Sequence, residues 1–192
     1  MAQVGFDVIV RKPGTDEKTR AGESPSELVG RLAREKANDV AETIAREFPN
    51  AIIIAADTTV VAPDGKTILG KPENIADAER MLRSLAGETH TVLTGYCIIK
   101  TVSGKPEKTH VRVVKSRVRM RKLTRREITQ YVLTGEPMDK AGSYAAQGIG
   151  MSMIRSLRGS YTNVVGLPMA HLVADLKRNY GIEPDWSKLK AK

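Results

Sequence analysis

Carboxylates and lysines in short polar contexts are the residues of this sequence with types suited to catalysis. Asp57 follows an apolar run, Lys71 follows a glycine, and Lys36, Asp139 and Lys140 lie in other polar segments. Lysines neutralise phosphate oxygens, backbone amides at glycine-rich turns bind them, and a carboxylate holds a divalent metal or activates water. The combination predicts a site for a phosphorylated ligand. Each residue also has an ordinary structural explanation, since an aspartate that follows a strand commonly caps the next element and most lysines are solvated charges.

The apolar run at 51–56 predicts the element that positions Asp57. Because the run is apolar on both faces, it is typical of a central strand buried between layers of helices. Asp57 and the two threonines after it then come at the carboxyl end of that strand, where α/β folds bind their ligands. Further strands are predicted over 91–99 and over 111–122, where apolar and cationic residues alternate in the second case.

Helix signals separate these strands. Ser24 and Glu27 form a capping box in front of an amphipathic helix of about six turns, and Thr124 opens another helix in the same way. Helices are also predicted over 75–86 and 168–180, each of which is followed by a glycine. The alternation of strands and helices predicts an α/β fold.

Composition excludes several classes of protein. The 192 residues are enough for one domain with its own core, and 41% hydrophobic with 28% charged residues exclude a largely disordered chain. The one cysteine, Cys97, excludes a disulfide framework and a multi-cysteine zinc site, and it favours a cytoplasmic location. The three histidines lack the spacing of metal ligands. No apolar run approaches the roughly 20 residues of a membrane span, so we expect no membrane association.

The net charge of +9 is concentrated in one segment. Residues 100–126 hold eleven lysines and arginines and one acid, whereas the remainder of the chain holds 20 basic and 21 acidic residues. Aromatic residues, at 4%, offer no stacking platform, so we expect no stable complex with nucleic acid. Two interpretations of the segment remain open. It is either a solvated face of one strand or a source of field that attracts anionic triphosphates.

Several blocks follow one another along nearly the whole chain. They read DE at 16–17, RLAREKA at 31–37, ADTTVV at 56–61, ILGKP at 68–72, DKAGSYAAQG at 139–148 and GSYTNVVGLP at 159–168. Together they resemble the Maf family of nucleoside triphosphate pyrophosphatases. The resemblance implies an elongated, two-lobed α/β fold like that of the inosine triphosphate pyrophosphatases, with a mixed sheet, flanking helices and a ligand cleft between the lobes. It also implies a homodimer that uses Mg²⁺ or Mn²⁺ to hydrolyse nucleoside triphosphates to the monophosphate and pyrophosphate.

The resemblance assigns roles to charged residues. The acidic catalytic residue of the family falls on Asp57, which is then the general base toward the attacking water and a metal ligand. Glu17 is the second acidic residue of the metal site. Lys36 and Lys71 hold phosphate oxygens, where negative charge accumulates in the transition state.

Two uncharged residues indicate the substrate. Thr58, directly after the catalytic position, and Gln147, in the block that ends in Gln-Gly, resemble the branch of the family that acts on dTTP and UTP. The amide of Gln147 has a donor and an acceptor side by side, which suits the carbonyl and N–H edge of a pyrimidine. Both residues are therefore expected to bind substrate.

One part of the family pattern has no match here. Members begin with a strand and a loop of the form Ser-x-Ser-Pro-Arg-Arg, which binds phosphate and base, whereas residues 4–9 already correspond to the segment after it. We expect residues 1–192 to be a single Maf-like domain that lacks this opening piece. Because two arginines that pair with the triphosphate are then missing, we expect weak or no pyrophosphatase activity from these 192 residues. The alternative is a nucleotide-binding or regulatory protein linked to septum formation.

Overall fold

A computed structural model of the chain describes residues 1–189. It contains a five-stranded sheet in the order β2-β1-β3-β4-β5. The strands are β1 (Ile52–Val61), β2 (Ile68–Leu69), β3 (Thr89–Val102), β4 (Lys105–Met120) and β5 (Ile154–Arg158). The α-helices are α1 (Pro25–Ile44), α2 (Ile75–Leu85), α3 (Arg125–Leu133), α4 (Tyr161–Val165) and α5 (Met169–Tyr180). Among the described residues, none of the helices is long and apolar enough to cross a membrane.

The predicted helix starts are confirmed. The Ser24 side chain accepts from the backbone N–H of Glu27, and the Glu27 carboxylate accepts from the backbone N–H of Ser24, so both donors at the start of α1 are satisfied. The same reciprocal capping box joins Thr124 and Glu127 at the start of α3. At its other end, α5 stops where Gly181 adopts the left-handed conformation.

The α/β class is confirmed, but the sheet is not mixed. All strand pairs among residues 1–189 are antiparallel. The two longest strands, β3 and β4, are antiparallel because a tight turn connects them. The predictions over 91–99 and 111–122 treated them as separate strands and did not include this connection. Ser103 and Gly104 both have positive φ (51° and 75°), and this tight turn folds the chain back into a long hairpin.

Strand β1 differs from its prediction in two ways. Asp57 lies in the middle of the strand and not at its end, because Thr59, Val60 and Val61 continue the pairing with β3 as far as Thr91. Apart from the buried Ile53, the strand is also only partly buried as far as Thr58. Its edge away from β3 pairs with β2 only at Val60 and Val61, so within the described part of the chain the rest of that edge has no strand beside it.

Helices cover the sheet from two sides. Alanines of α1 (Ala33, Ala37 and Ala41) pack on one face against Ile53, Cys97 and Ile99. Leu172 and Leu176 of α5 pack on the other face against Tyr96, Ile98 and Val114. Helices α2 and α3 form a third core around Val60 of β1 and Val92 of β3. Asp57 therefore lies on β1 between Ile53 of the first core and Val60 of the third core, and it lines a cleft.

A buried carboxylate fixes α5 to the sheet. Asp175 accepts hydrogen bonds from the Tyr96 hydroxyl at 2.5 Å, from His110 Nε2 at 2.9 Å and from Arg112 at 3.2 Å. These three donors come from β3 and β4, so the helix is attached to both strands of the hairpin.

Candidate active site

One cleft of about 420 Å³ receives all of the residues that the sequence assigned to a site. They are Glu17, Lys36, Asp57, Thr58, Lys71 and Gln147. These residues come from five separate parts of the chain: the segment before α1, α1 itself, β1, the loop after β2 and the loop before β5. The fold thus brings together what the sequence separates by up to 130 positions.

Lys36 joins two carboxylates at the centre of the cleft. Its Nζ lies 2.6 Å from Asp57 Oδ1 and 2.5 Å from Glu17 Oε1. Lys71 Nζ lies 3.7 Å from the other oxygen of Glu17 and is itself largely exposed. The side chains of Lys36 and Asp57 are nearly buried, at 11% and 12% exposure, whereas Glu17 is about half exposed. The cluster therefore consists of a nearly buried pair, Lys36 and Asp57, and a more exposed pair, Glu17 and Lys71.

Burial and charge act in opposite directions on these groups. Burial raises the pKa of Asp57 above its ordinary 3.8, and the hydrogen bond from Lys36 only partly opposes that rise. Burial also lowers the pKa of Lys36, but the hydrogen bonds to Asp57 and Glu17 outweigh it, so the pKa of Lys36 is raised and the ammonium stays charged. The hydrogen bond from Lys36 lowers the pKa of Glu17. The same ammonium thus stands between a carboxylate whose pKa is raised, Asp57, and one whose pKa is lowered, Glu17.

A glycine allows α1 to reach Asp57. Gly95 of β3 is paired with Asp57, and a methyl group placed on Gly95 would lie 2.3 Å from the backbone carbonyl oxygen of Val29 in α1. That distance is far too short for a carbon and an oxygen, so only glycine permits this approach of helix and sheet. Lys36 follows Val29 by seven residues, which places it two turns along on the same helix face, over Asp57.

Thr58 points away from Asp57, since adjacent residues of a strand face opposite sides. Its hydroxyl lies 2.9 Å from the Thr94 hydroxyl, which in turn donates to the Asn163 carbonyl oxygen. The Asn163 amide donates to Val92 and Ser116. This buried network holds α4 and the loop after it against the sheet, and it positions the wall of the cleft next to Thr58.

The cleft wall contains two further groups to whose members the sequence assigned no individual role. Tyr144 lines the cleft, and its hydroxyl lies 2.7 Å from Nε2 of the buried His90. Burial lowers the pKa of His90 to about 4, so this ring is neutral at physiological pH. Asp139 and Lys140, paired at 2.5 Å, line the outer rim. Asp139, Lys140 and Tyr144 all lie in the block at 139–148, and the two charged residues were also noted as suited to a phosphate site, whereas no local pattern linked His90 to Tyr144, 54 positions away.

Comparison with known proteins agrees with the geometry. The family profile described as Maf-like protein matches residues 1–179. This chain belongs to the Maf family. It is 44% identical over 178 residues to the dTTP/UTP pyrophosphatase of Anaeromyxobacter dehalogenans (strain 2CP-C), a match that covers 93% of this chain and 86% of that protein. It is 43% identical over 194 residues to the dTTP/UTP pyrophosphatase of Neisseria gonorrhoeae (strain ATCC 700825 / FA 1090), covering 99% and 92%.

The Maf signature blocks meet at the cleft. The block at 56–61 is the second half of β1, and the block at 68–72 is β2 with the loop that carries Lys71. The blocks at 139–148 and 159–168 supply the opposite wall, with Tyr144 and Gln147 from the first and the residues around Gly166 from the second. The resemblance first seen in separate stretches of sequence therefore describes one contiguous surface.

The carboxylates can be tested against the divalent cation that the Maf resemblance implies. No group of three or more His, Cys, Asp and Glu side chains suited to a metal ion occurs among residues 1–189. Glu17 and Asp57 nevertheless both face the cleft and contact the same ammonium. Mg²⁺ is commonly held by one or two carboxylates together with substrate phosphates and water. The two residues therefore fit an ion that binds together with a triphosphate.

Proposed function

We propose that this chain is a nucleoside triphosphate pyrophosphatase that hydrolyses dTTP and UTP to the monophosphate and pyrophosphate. The observation that carries the proposal is the cleft, in which the nearly buried Asp57, with its raised pKa, lies beside lysines able to hold phosphates. The names of the Maf relatives at 42–44% identity agree with the same reaction. We further propose a cytoplasmic homodimer, on the strength of the family resemblance.

Asp57 is the proposed general base. Water attacks the α-phosphorus, its proton passes to the Asp57 carboxylate, the bond from the α-phosphorus to the bridging oxygen breaks, and pyrophosphate leaves with the electron pair. The raised pKa of Asp57 makes it a stronger acceptor of that proton than an exposed aspartate. Lys36 holds Asp57 from the side and orients its carboxylate.

Lys36 and Lys71 are the proposed phosphate ligands. An ammonium has three donors, so Lys36 can keep Asp57 while it turns a further N–H toward a phosphate oxygen. Lys71, largely exposed at the cleft entrance, is free to follow the leaving pyrophosphate. Glu17 and Asp57 would hold a divalent cation, Mg²⁺ or Mn²⁺, which when bound supplies positive charge to the phosphates.

Thr58 and Gln147 are proposed to select the base. Gln147 is exposed at the cleft wall, where its amide can donate to one pyrimidine carbonyl and accept from the ring N–H. Thr58 fixes the wall through its contact with Thr94. A purine presents a different pattern of donors and is larger, so we expect a preference for pyrimidines.

The test is pyrophosphate release from a panel of nucleoside triphosphates with Mg²⁺ or Mn²⁺. Release is followed for hours at high protein concentration, so that slow turnover is also detected. Asp57→Asn is expected to lower the rate by about 10²–10⁴-fold, as for loss of a general base. Asp64→Asn is the matched control, since Asp64 is an exposed aspartate in the turn after β1.

The outcome decides between functions. Release from dTTP and UTP that is lost in Asp57→Asn and kept in Asp64→Asn supports the proposal. Equal rates for wild type and Asp57→Asn would remove Asp57 from the mechanism. Tight nucleotide binding with no release by any variant would instead identify a nucleotide-binding regulator.

A further inference from the structure

Three cations of β4 continue the sheet face on which α1 lies. Val113 packs against Val29 of α1, and a side chain added at Gly30 would lie 3.5 Å from Val113. Side chains of a strand alternate between faces, and every second residue after Val113 is cationic and exposed. These residues of β4 are Lys115, Arg117 and Arg119. Together with Arg158 of β5, which is paired with Arg117, they form what we name the cationic stripe.

Strand register connects the cationic stripe to the cleft. Thr59 lines the cleft and is paired with Leu93 of β3. Leu93 is in turn paired with Lys115 of β4. Neighbouring strands lie about 4.8 Å apart, so the backbone of Lys115 is roughly 10 Å from that of Thr59. Thr59 and Asp57 share a face because they are two residues apart on β1. The stripe and the catalytic carboxylate therefore lie on the same side of the sheet.

The charges of the stripe are not neutralised. Within residues 1–189, none of its four cations takes part in an ion pair, whereas Arg112, earlier on the same strand, is paired with Asp175. Arg117 and Arg158 lie directly opposite each other, an arrangement of like charges that destabilises a sheet. The stripe thus accumulates positive charge at a cost to folding, and its field extends into solvent.

The cleft itself does not supply such a field. Its lining contains three acidic side chains and three lysines, so their formal charges cancel. The acids are Glu17, Asp57 and Asp139, and the lysines are Lys36, Lys71 and Lys140. A nucleoside triphosphate with several negative charges gains little from a neutral cleft at long range, although it gains contacts once bound. Long-range attraction of the triphosphate therefore has to come from charged residues outside the cleft but close to it.

We infer that the cationic stripe draws nucleoside triphosphates toward the cleft. This inference rests on the proposed function and adds to it a group of residues that raises capture of substrate without touching the bound molecule. A cationic surface beside a binding site raises the local concentration of an anion and its association rate, and the effect weakens as salt shortens the range of the field.

The experiment compares two variants with the same change in net charge. Arg117→Gln/Arg119→Gln removes two charges of the stripe, and Lys177→Gln/Arg178→Gln removes two charges of α5, which packs on the opposite face. For dTTP or UTP, kcat/KM is measured between about 0.01 M and about 0.15 M salt, where the Debye length falls from about 30 Å to about 8 Å. Circular dichroism confirms that both variants are folded.

The stripe variant is expected to lose about threefold to tenfold in kcat/KM at the lowest salt, with kcat unchanged and the deficit shrinking as salt rises. The α5 variant is expected to lose less than half as much. Equal losses in the two variants, or a deficit that does not depend on salt, would overturn the inference.

Two further measurements separate this inference from its premises. The affinity for an α,β-imido analogue of dTTP, which cannot be hydrolysed between those phosphates, is titrated by calorimetry over the same salt range. Weaker, less salt-dependent binding by the stripe variant supports the inference even if no hydrolysis occurs, in which case only the proposed function fails. Binding of duplex DNA at about 0.15 M salt that disappears in the stripe variant would assign the stripe to nucleic acid and overturn the inference.

Discussion

Two buried aspartates on opposite sides of one sheet differ in the number of donors that surround them. Asp175 of α5 is 3% exposed and accepts hydrogen bonds from a tyrosine, a histidine and an arginine of the β3–β4 hairpin. Asp57 of β1 is 12% exposed and, within the described residues, accepts a side-chain hydrogen bond from Lys36 alone. Burial raises the pKa of both, but the three donors outweigh it at Asp175, where the pKa is lowered, while the pKa of Asp57 stays raised.

The difference separates structural from chemical use of the same side chain. A carboxylate saturated with donors is stable as an anion and has little tendency to take up a proton. A carboxylate with one donor in a dry site holds its charge less easily, so it is a stronger base and has lone pairs left for water or a cation. Asp175 therefore belongs to the framework and Asp57 to the reaction.

Asp175→Asn should give the largest change in stability. It leaves Tyr96, His110 and Arg112 with one neutral acceptor in place of an anion, so we expect the free energy of unfolding to fall by about 3 kcal/mol. Asp57→Asn removes a carboxylate that is poorly satisfied, and Lys36 keeps Glu17, so a change below about 1 kcal/mol is expected. Urea unfolding of the two variants measures both.

Activity provides the converse readout for this pair. The folded fraction of Asp175→Asn should keep the kcat of wild type, since Asp175 does not line the cleft. A loss of kcat in Asp175→Asn as large as that in Asp57→Asn would contradict the separation of roles. So would a destabilisation of Asp57→Asn that equals that of Asp175→Asn.

Gly95→Ala tests the position of Lys36 over Asp57 without altering any charge. The new methyl group would lie 2.3 Å from the Val29 carbonyl oxygen, so α1 must move outward, at a cost of about 2 kcal/mol in unfolding free energy. Lys36 then withdraws from Asp57, the pKa of Asp57 rises further, and the acidic limb of the kcat/KM profile moves to higher pH. The control is Gly65→Ala, where a side chain meets no atom within 4 Å, although the positive φ of Gly65 adds a small strain that Gly95 does not have. An unchanged acidic limb in Gly95→Ala would show that Lys36 does not set the basicity of Asp57.

The contrast between the two aspartates lies partly beyond what the sequence can predict. Asp57 was assigned from a signature block, and local patterns predicted the capping boxes of α1 and α3, because both depend on residues close in sequence. The donors of Asp175 lie 63 to 79 positions away, so no local pattern signals them. The same holds for the approach of α1 to Gly95, which exists only once helix and sheet are packed.

Strand register explains two other gaps. The alternation of cations with apolar residues on β4 was visible in the sequence, but the side of the sheet that they face depends on the pairing of Leu93 with Lys115. Similarly, an apolar run predicts a strand without showing where pairing stops. For that reason Asp57 was expected at the end of β1, and it lies in the middle.

The pH dependence of unfolding should differ in sign between the two aspartates, although this effect is the smallest of those predicted. The pKa of Asp175 is lowered in the folded protein, so its stabilisation is present above the unfolded value of about 3.8 and is lost as the pH falls through the folded pKa. The pKa of Asp57 is raised, so folding is favoured as Asp57 takes up its proton, and this gain is lost as the pH rises through the folded pKa. Relative to wild type, Asp175→Asn should therefore lose less stability between pH 7 and pH 3, and Asp57→Asn should lose more. Urea unfolding at several pH values measures the slopes, and slopes that change in the same direction in both variants would mean that the number of donors does not distinguish the two carboxylates.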